Sequence, residues 1–143
     1  MPPVFRMTPE RITTLAPNEV FVFGSNYAGR HGRGAAAAAM KFGAQHGVGT
    51  GPCGQTYAIA TKDQNLRVLS RRDIETQLPR FFEYVNAHPE KTFLVTPIGC
   101  GLAKYSPKDI APLFFEYHIP DNLVLPRSFW EYSKALQQPA KVR

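Results

Sequence analysis

Four uncharged stretches, rich in β-branched and aromatic residues, recur along the chain and predict strands. They lie at residues 20–23, 56–61, 92–96 and 122–125. An apolar run such as 20–23, and uncharged runs of this length in general, are typical of strands that are covered on both faces. The second stretch alternates moderately between apolar and polar residues and delivers Lys62 at its C-terminal end.

Helical patterns occupy the segments between these stretches. The alanine-rich run at 34–44 has high helix propensity, which Gly43 weakens near its end. Ser70 begins a capping-box pattern, and apolar residues then recur at helical spacing to about residue 88. Pro79 lies inside this second segment and predicts either a kink or a later helix start.

Further caps are predicted towards the C-terminus and near the N-terminus. Ser106, followed by a proline at the first helical position, predicts a third long helix. Ser128 predicts a cap for a last helix over 129–136, and Thr8 predicts a cap for one short helical turn. The glycine-rich segment 47–54 is predicted to be a mobile loop. It also resembles a phosphate-binding loop, although no lysine follows at Walker spacing.

Strands that alternate with helices predict a three-layer α/β/α sandwich with a mixed, largely parallel sheet. The chain of 143 residues suits a single domain over 1–143. In such sheets ligands bind beyond the carboxyl ends of the strands. The segments that follow residues 23, 61 and 96 lie at such ends.

Composition narrows the environment and the class of ligand. No apolar run approaches the ~20 residues of a membrane span, no secretion pattern is seen, and the two cysteines lie far apart. A reducing cytoplasm is therefore expected. The formal net charge of +6 fits either an anionic ligand or a solvated basic surface. Histidines and cysteines show no metal-ligand spacing, so neither a metal nor a cofactor is predicted.

Two glycine loops follow the first and third strands and carry the candidate binding residues. The first supplies Gly24, Ser25, Asn26, Gly29, Arg30, His31, Gly32 and Gly34, and the second supplies Ile98, Gly99, Cys100, Gly101 and Leu102. Glycines let the backbone approach a ligand, and a helix start after the first loop favours a phosphate. We expect the two loops to face one another and to offer backbone donors to a diphosphate. Arg30 and Arg33 either contact a phosphate or solvate the loop.

Three motifs together carry a family resemblance. They are Gly-Arg-His-Gly-Arg-Gly-Ala-Ala, Tyr-Ala-Ile-Ala-Thr-Lys and Thr-Pro-Ile-Gly-Cys-Gly-Leu-Ala, within residues 19–117. In this order the chain resembles a macrodomain, an ADP-ribose-binding module. It is most similar to the branch that removes ADP-ribose from glutamate or from thymidine in DNA. The resemblance implies ADP-ribose or a related nucleotide as ligand, with ADP-ribosylated protein or DNA as candidate partners.

The resemblance also implies a catalytic residue and exposes a departure from the family pattern. Lys62 would attack or stabilise the anomeric carbon of the distal ribose. The family places an acid directly after Gly-Cys-Gly-Leu, where this chain has Ala103. A lysine nucleophile needs a depressed pKa or a neighbouring base, and Asp63 and Asp109 are the candidates to replace the acid.

Three functions therefore stand as alternatives. The first is a binding, sensing or sequestering module for ADP-ribose, and the second is an ADP-ribosyl hydrolase that uses Lys62. The third is a regulatory protein that binds nucleic acid through its basic surface. Tyr27 and Phe129 either stack on an adenine or complete the core.

Overall fold

A computed structural model describes residues 6–133, and its centre is a six-stranded sheet. The strands are β1 (Met7–Thr8), β2 (Glu19–Asn26), β3 (Gly51–Cys53), β4 (Thr56–Lys62), β5 (Thr92–Val95) and β6 (Leu123–Pro126). Their spatial order is β1-β6-β5-β2-β4-β3. All neighbours are parallel except β3, which runs antiparallel to β4. The predicted mixed, largely parallel sheet is confirmed.

Residues 6–133 contain five short helices, of which four lie between strands and one follows the last strand. They are α1 (Gly34–Ala39), α2 (Arg71–Glu75), α3 (Leu78–Ala87), α4 (Pro107–Phe114) and α5 (Arg127–Trp130), and a 3-10 turn at Met40–Phe42 continues α1. Within the described residues, each of these helices is too short or too polar to cross a bilayer.

The central strand β2 divides the core into two clusters, because successive side chains point to opposite faces of a sheet. Val20 and Val22 pack in the larger cluster, which includes residues of α2, α3, α4 and α5. Phe21 and Phe23 pack in the other cluster, with alanines of α1. Helices thus cover both faces, as the α/β sandwich prediction requires.

Two predicted elements have different limits in the structure. The first strand does not end at residue 23, because Gly24, Ser25 and Asn26 continue the ladder against β4. The first helix does not reach residue 44. It ends in the 3-10 turn, and Gly43 then takes a left-handed conformation with φ +107°. Glycine adopts this conformation readily because it has no Cβ, and helices often end at such a residue.

The 47–54 segment is not wholly a loop. Gly51–Cys53 forms β3 and pairs with the beginning of β4. Glycine content suggested mobility, whereas strand pairing across a tight turn determines the conformation here.

The helical segment at 70–88 is divided into α2 and α3, and Pro79 lies in the first turn of α3. This matches the later start that Pro79 allowed, since a proline in the first turn sacrifices no helical hydrogen bond. Gln77 occupies the break and fixes it to the sheet. Its side chain accepts a hydrogen bond from the Ala60 amide and donates one to the Ala60 carbonyl, both at 2.8 Å.

The two predicted terminal helices are wrong or partly outside the described residues. Thr8 does not cap a turn but belongs to β1, and its hydroxyl donates to the Val124 carbonyl at 3.2 Å. Ser128 lies inside α5, which begins one residue earlier at Arg127. The predicted extension over 134–136 falls outside the described residues.

The cap of α4 agrees with its prediction and has a consequence for acid stability. Asp109 accepts hydrogen bonds from the Ser106 amide at 3.0 Å and from the Ser106 hydroxyl at 2.9 Å. These bonds favour the carboxylate and lower the pKa of Asp109 in the folded state. A folded-state pKa below the unfolded value stabilises the protein above that value, and the benefit is lost as the pH falls.

Asp109→Asn is therefore expected to lower the urea midpoint at pH 7. The difference from wild type should shrink as the pH is lowered through about 4, where carboxylates ordinarily titrate. Equilibrium urea unfolding at pH 7 and pH 3 measures this difference in midpoint, and Asp121→Asn, at an exposed position, is the control. A difference that is equally large at both pH values would contradict this role of the carboxylate charge.

Candidate functional site

A crevice of about 860 Å³ opens at the carboxyl ends of β2, β4 and β5. Its wall consists of Gly24, Ser25, Asn26, Arg30, Gly32, Arg33, Gly34, Ala35, Ala36, Thr61, Lys62, Leu66, Thr96, Pro97, Ile98, Gly99, Cys100, Gly101, Leu102 and Ala103. This volume lies within the range of small-molecule and nucleotide sites. The two glycine loops and the end of β4 meet there, as their strand positions predict.

Gly29 and His31 are the two expected contact residues that do not line the crevice. Gly29 packs against the backbone of Gly47, where a Cβ on Gly29 would lie 2.5 Å from the Gly47 carbonyl carbon. His31 is only 2% exposed and lies against the ring of Phe23. All the other predicted contact residues, including Lys62, line the crevice.

Several wall residues were not among the predicted contacts. The positions of Thr61 and Thr96 in the wall could have been predicted from strand geometry, since they lie where β4 and β5 meet the crevice. Their hydroxyls donate to the Ser25 and Val22 carbonyls at 3.2 and 2.8 Å. Leu66 had no recognisable sequence signal. A turn places it in the wall with φ +63°, and it remains 41% exposed.

The second glycine loop lines the crevice and has backbone N–H groups without an acceptor among the described residues. Among the described residues, the N–H groups of Gly99, Gly101, Leu102 and Ala103 have no protein acceptor, while Cys100 donates to the Pro97 carbonyl. Gly99 has φ +78°, and a Cβ there would lie 3.3 Å from Ile110. Glycine at this position therefore lets the loop turn tightly above α4.

The first glycine loop contributes a second set of donors. The N–H groups of the five residues at 32–36 likewise find no acceptor within the described part of the chain. Because α1 has only six residues, a helix dipole contributes less here than the sequence suggested. The local N–H groups are the feature that favours an anion.

Positive charge dominates the crevice wall. Arg30, Arg33 and Lys62 line it, and none of the described wall residues is an acid or a histidine. A wall of this kind favours phosphate or carboxylate groups over cations.

Neither candidate acid, Asp63 or Asp109, lines the crevice. Asp63 accepts hydrogen bonds from the amides of Asn65 and Arg67 at 2.8 and 3.0 Å, so it holds its own turn. Asp109 caps α4 through Ser106. Ala103 lines the crevice at the position where the resemblance implies an acid.

Lys62 is fixed at the end of β4 by its backbone. Its carbonyl accepts a hydrogen bond from the Tyr27 amide at 3.0 Å, and the residue forms an isolated bridge with Val68. The β2–β4 register shifts between Ser25 and Asn26, so that Asn26 pairs with Lys62. This irregularity places the lysine beside the first glycine loop, in the crevice wall.

Neither candidate aromatic residue, Tyr27 or Phe129, is among the residues that line the crevice. Phe129 is fully buried and packs on Phe114 at 5.6 Å between ring centroids, so it completes the core. Tyr27 is 42% exposed.

Burial and the nearby Asp109 carboxylate raise the pKa of the Cys100 thiol to about 11. Because the thiolate is the reactive form, we expect Cys100 to react slowly with a disulfide reagent at pH 7. Its rate should increase about tenfold for each pH unit up to that value. The measurement is the rate of reaction with the disulfide reagent between pH 7 and 10 in the variant Cys53→Ser, in which Cys100 is the remaining thiol.

The control for this reaction is Cys100→Ser, which identifies the labelled site. A rate that reaches a plateau below pH 9 would contradict a raised pKa. It would also make Cys100 a candidate nucleophile.

No known family model matches the chain, and neither the curated proteins nor the solved structures include a significant match. The function is therefore inferred from the crevice and its residues.

Proposed function

We propose that the crevice binds ADP-ribose or a related adenine-ribose phosphate, as a binding, sensing or sequestering module. The observation that supports this most directly is the pair of loops at the crevice whose N–H groups have no acceptor among the described residues, at 32–36 in the first and at 99 and 101–103 in the second. Backbone donors arranged in this way are suited to phosphate oxygens, and two such sets suit a diphosphate. Arg30 and Arg33 add charge to the same wall.

Binding without hydrolysis is the preferred form of this proposal. Cleavage of a ribosyl bond requires a group that transfers a proton at the reacting centre. Lys62 is the single lysine in the described wall, and Asp63 and Asp109 are engaged elsewhere. A lysine without a basic partner is better suited to holding a phosphate than to attacking a sugar carbon.

Calorimetry with ADP-ribose tests the proposal. We expect a saturable heat with ADP-ribose, a weaker one with AMP, and a still weaker one with adenosine, which has no phosphate. Lys104→Ala, outside the wall, is the control for Lys62→Ala. The absence of any heat at millimolar ADP-ribose would overturn the proposal.

A release assay on ADP-ribosylated protein and ADP-ribosylated DNA separates the alternatives. A binding module releases no ADP-ribose from either substrate. Release that is lost in Lys62→Ala and kept in Lys104→Ala would instead establish the hydrolase. A DNA mobility shift that persists with saturating ADP-ribose would place nucleic acid on another surface.

A further inference from the structure

A buried histidine lies behind the crevice rather than in it. The His31 ring is 2% exposed and contacts Phe23 edge to face at 5.4 Å between centroids. Its Nε2 atom lies 3.0 Å from the Val48 carbonyl oxygen, so Nε2 carries a proton and donates. Its Nδ1 atom is buried and has no hydrogen-bond partner among the described residues.

The unpartnered Nδ1 indicates that this ring does more than fill space. A buried polar atom without a partner costs free energy, whereas an apolar ring of similar size would fill the same space without that cost. The bond from Nε2 to the Val48 carbonyl is the contact that an apolar ring cannot make. The hydrogen bond to the Val48 carbonyl therefore accounts for a histidine at this position.

His31 holds the segment 46–49, which overlaps the 47–54 segment that the sequence suggested as a phosphate loop. The His31 amide donates to His46 Nδ1 at 3.3 Å, and the two rings stack at 5.7 Å. The Gly47 amide donates to the Gly29 carbonyl at 2.9 Å. This segment lies outside the crevice wall and supports the first glycine loop from behind.

The same loop carries the binding groups on its other side. Arg30 is fixed by Asn26, whose side chain donates to the Arg30 carbonyl at 2.8 Å and accepts from the Arg30 amide at 2.9 Å. His31 follows directly, and the free donors begin at Gly32. The position of those donors therefore depends on how His31 is held.

We infer that His31 is a positioning residue, whose ring fastens the first glycine loop to the 46–49 segment and so fixes Arg30, Arg33 and the free N–H groups at the crevice. Its effect on ligand affinity rests on the proposed function. Its effect on the order of the loop does not.

The experiment compares wild type with His31→Ala, His31→Gln and His46→Ala. Amide hydrogen exchange at residues 27–33 reports loop order, and calorimetry reports the Kd for ADP-ribose. In His31→Ala we expect exchange in the loop to increase about tenfold and the Kd to weaken about tenfold, the effect of one buried hydrogen bond. His31→Gln should recover most of both, because its Nε2 amide can donate to the Val48 carbonyl.

His46→Ala removes one long hydrogen bond at an exposed side chain, so it should fold and weaken the Kd about threefold. His118→Ala, at another exposed histidine, is its control and should change neither readout. If His31→Ala does not fold, His31→Gln and His46→Ala carry the test.

Loop exchange and affinity that stay at wild-type values in His31→Ala and in His46→Ala would overturn the inference. Equal losses in His31→Gln and His31→Ala would also overturn it, since shape alone would then explain the residue. If wild type does not bind ADP-ribose, the proposed function fails, and loop exchange still decides the role of His31.

Discussion

Gly49→Ala is expected to destabilise the protein by about 3 kcal/mol, the upper range for overpacking a site that cannot relax. A Cβ at Gly49 would lie 2.1 Å from the Asn26 carbonyl oxygen and 3.0 Å from the Tyr27 Cα. Both are backbone atoms at the end of β2, so no side-chain rotation relieves the clash. The Ser25 hydroxyl also donates to the Gly49 carbonyl, and this bond breaks if the two segments separate.

Equilibrium urea unfolding gives this free energy, with Gly101→Ala as the matched control. A Cβ at Gly101 meets nothing within 4 Å, and its φ is not positive. The control should therefore stay within about 0.5 kcal/mol of wild type. A Gly49→Ala protein as stable as the control would show that the 46–49 segment moves away from β2 without cost.

This contrast explains why glycine content could not separate the two kinds of loop. At 47–54 and at 99–101 the sequence shows similar glycine-rich runs, and both were candidates for phosphate contact. In the structure, Gly49 lets one backbone pack closely against another, whereas Gly101 lines the crevice and its N–H has no acceptor within residues 6–133. Which of these a glycine does depends on the neighbouring segment in space, and sequence spacing does not contain that information.

Elements whose cause is local were the predictable ones. β4 and β5 follow from uncharged apolar runs, and the cap of α4 follows from Ser106, Pro107 and Asp109. The crevice wall was also largely predictable, because the carboxyl ends of parallel strands meet at one edge of the sheet.

Elements whose cause is tertiary were not predictable. β1 has only two residues, and its pairing with β6 defines it as a strand. His31 was a candidate ligand contact because it lies between glycines, but the 46–49 segment covers its ring. Leu66 reaches the wall because Asp63 holds a turn whose geometry no apolar period predicts.

The positions of Asp63 and Asp109 show how the structure differs from what the sequence suggested for these two acids. Sequence adjacency offered Asp63, and an inward-leaning helix offered Asp109, as replacements for an acid at Ala103. The hydrogen bonds of both carboxylates are made within their own turns. Neither carboxylate lines the crevice, whose described wall includes Arg30, Arg33 and Lys62.

Removing both arginines from the wall is expected to cause the largest loss of ligand affinity. Arg30→Ala with Arg33→Ala should weaken the Kd for ADP-ribose at least about 100-fold, because hydrogen bonds to charged groups contribute about 1.5–3 kcal/mol each. Wild-type affinity should fall as salt increases, and the double variant should show a smaller salt dependence. Calorimetry at two salt concentrations measures both effects.

The matched control is Arg11→Ala with Arg72→Ala, which lowers the net charge equally at two exposed positions outside the wall. Equal losses in the two double variants would mean that the overall charge of the protein, and not contact at the crevice, attracts the ligand. Unchanged affinity in Arg30→Ala with Arg33→Ala would leave the backbone donors as the anion site. Because the free N–H groups begin next to these arginines, a loss confined to the wall variant would locate the phosphates at the first glycine loop.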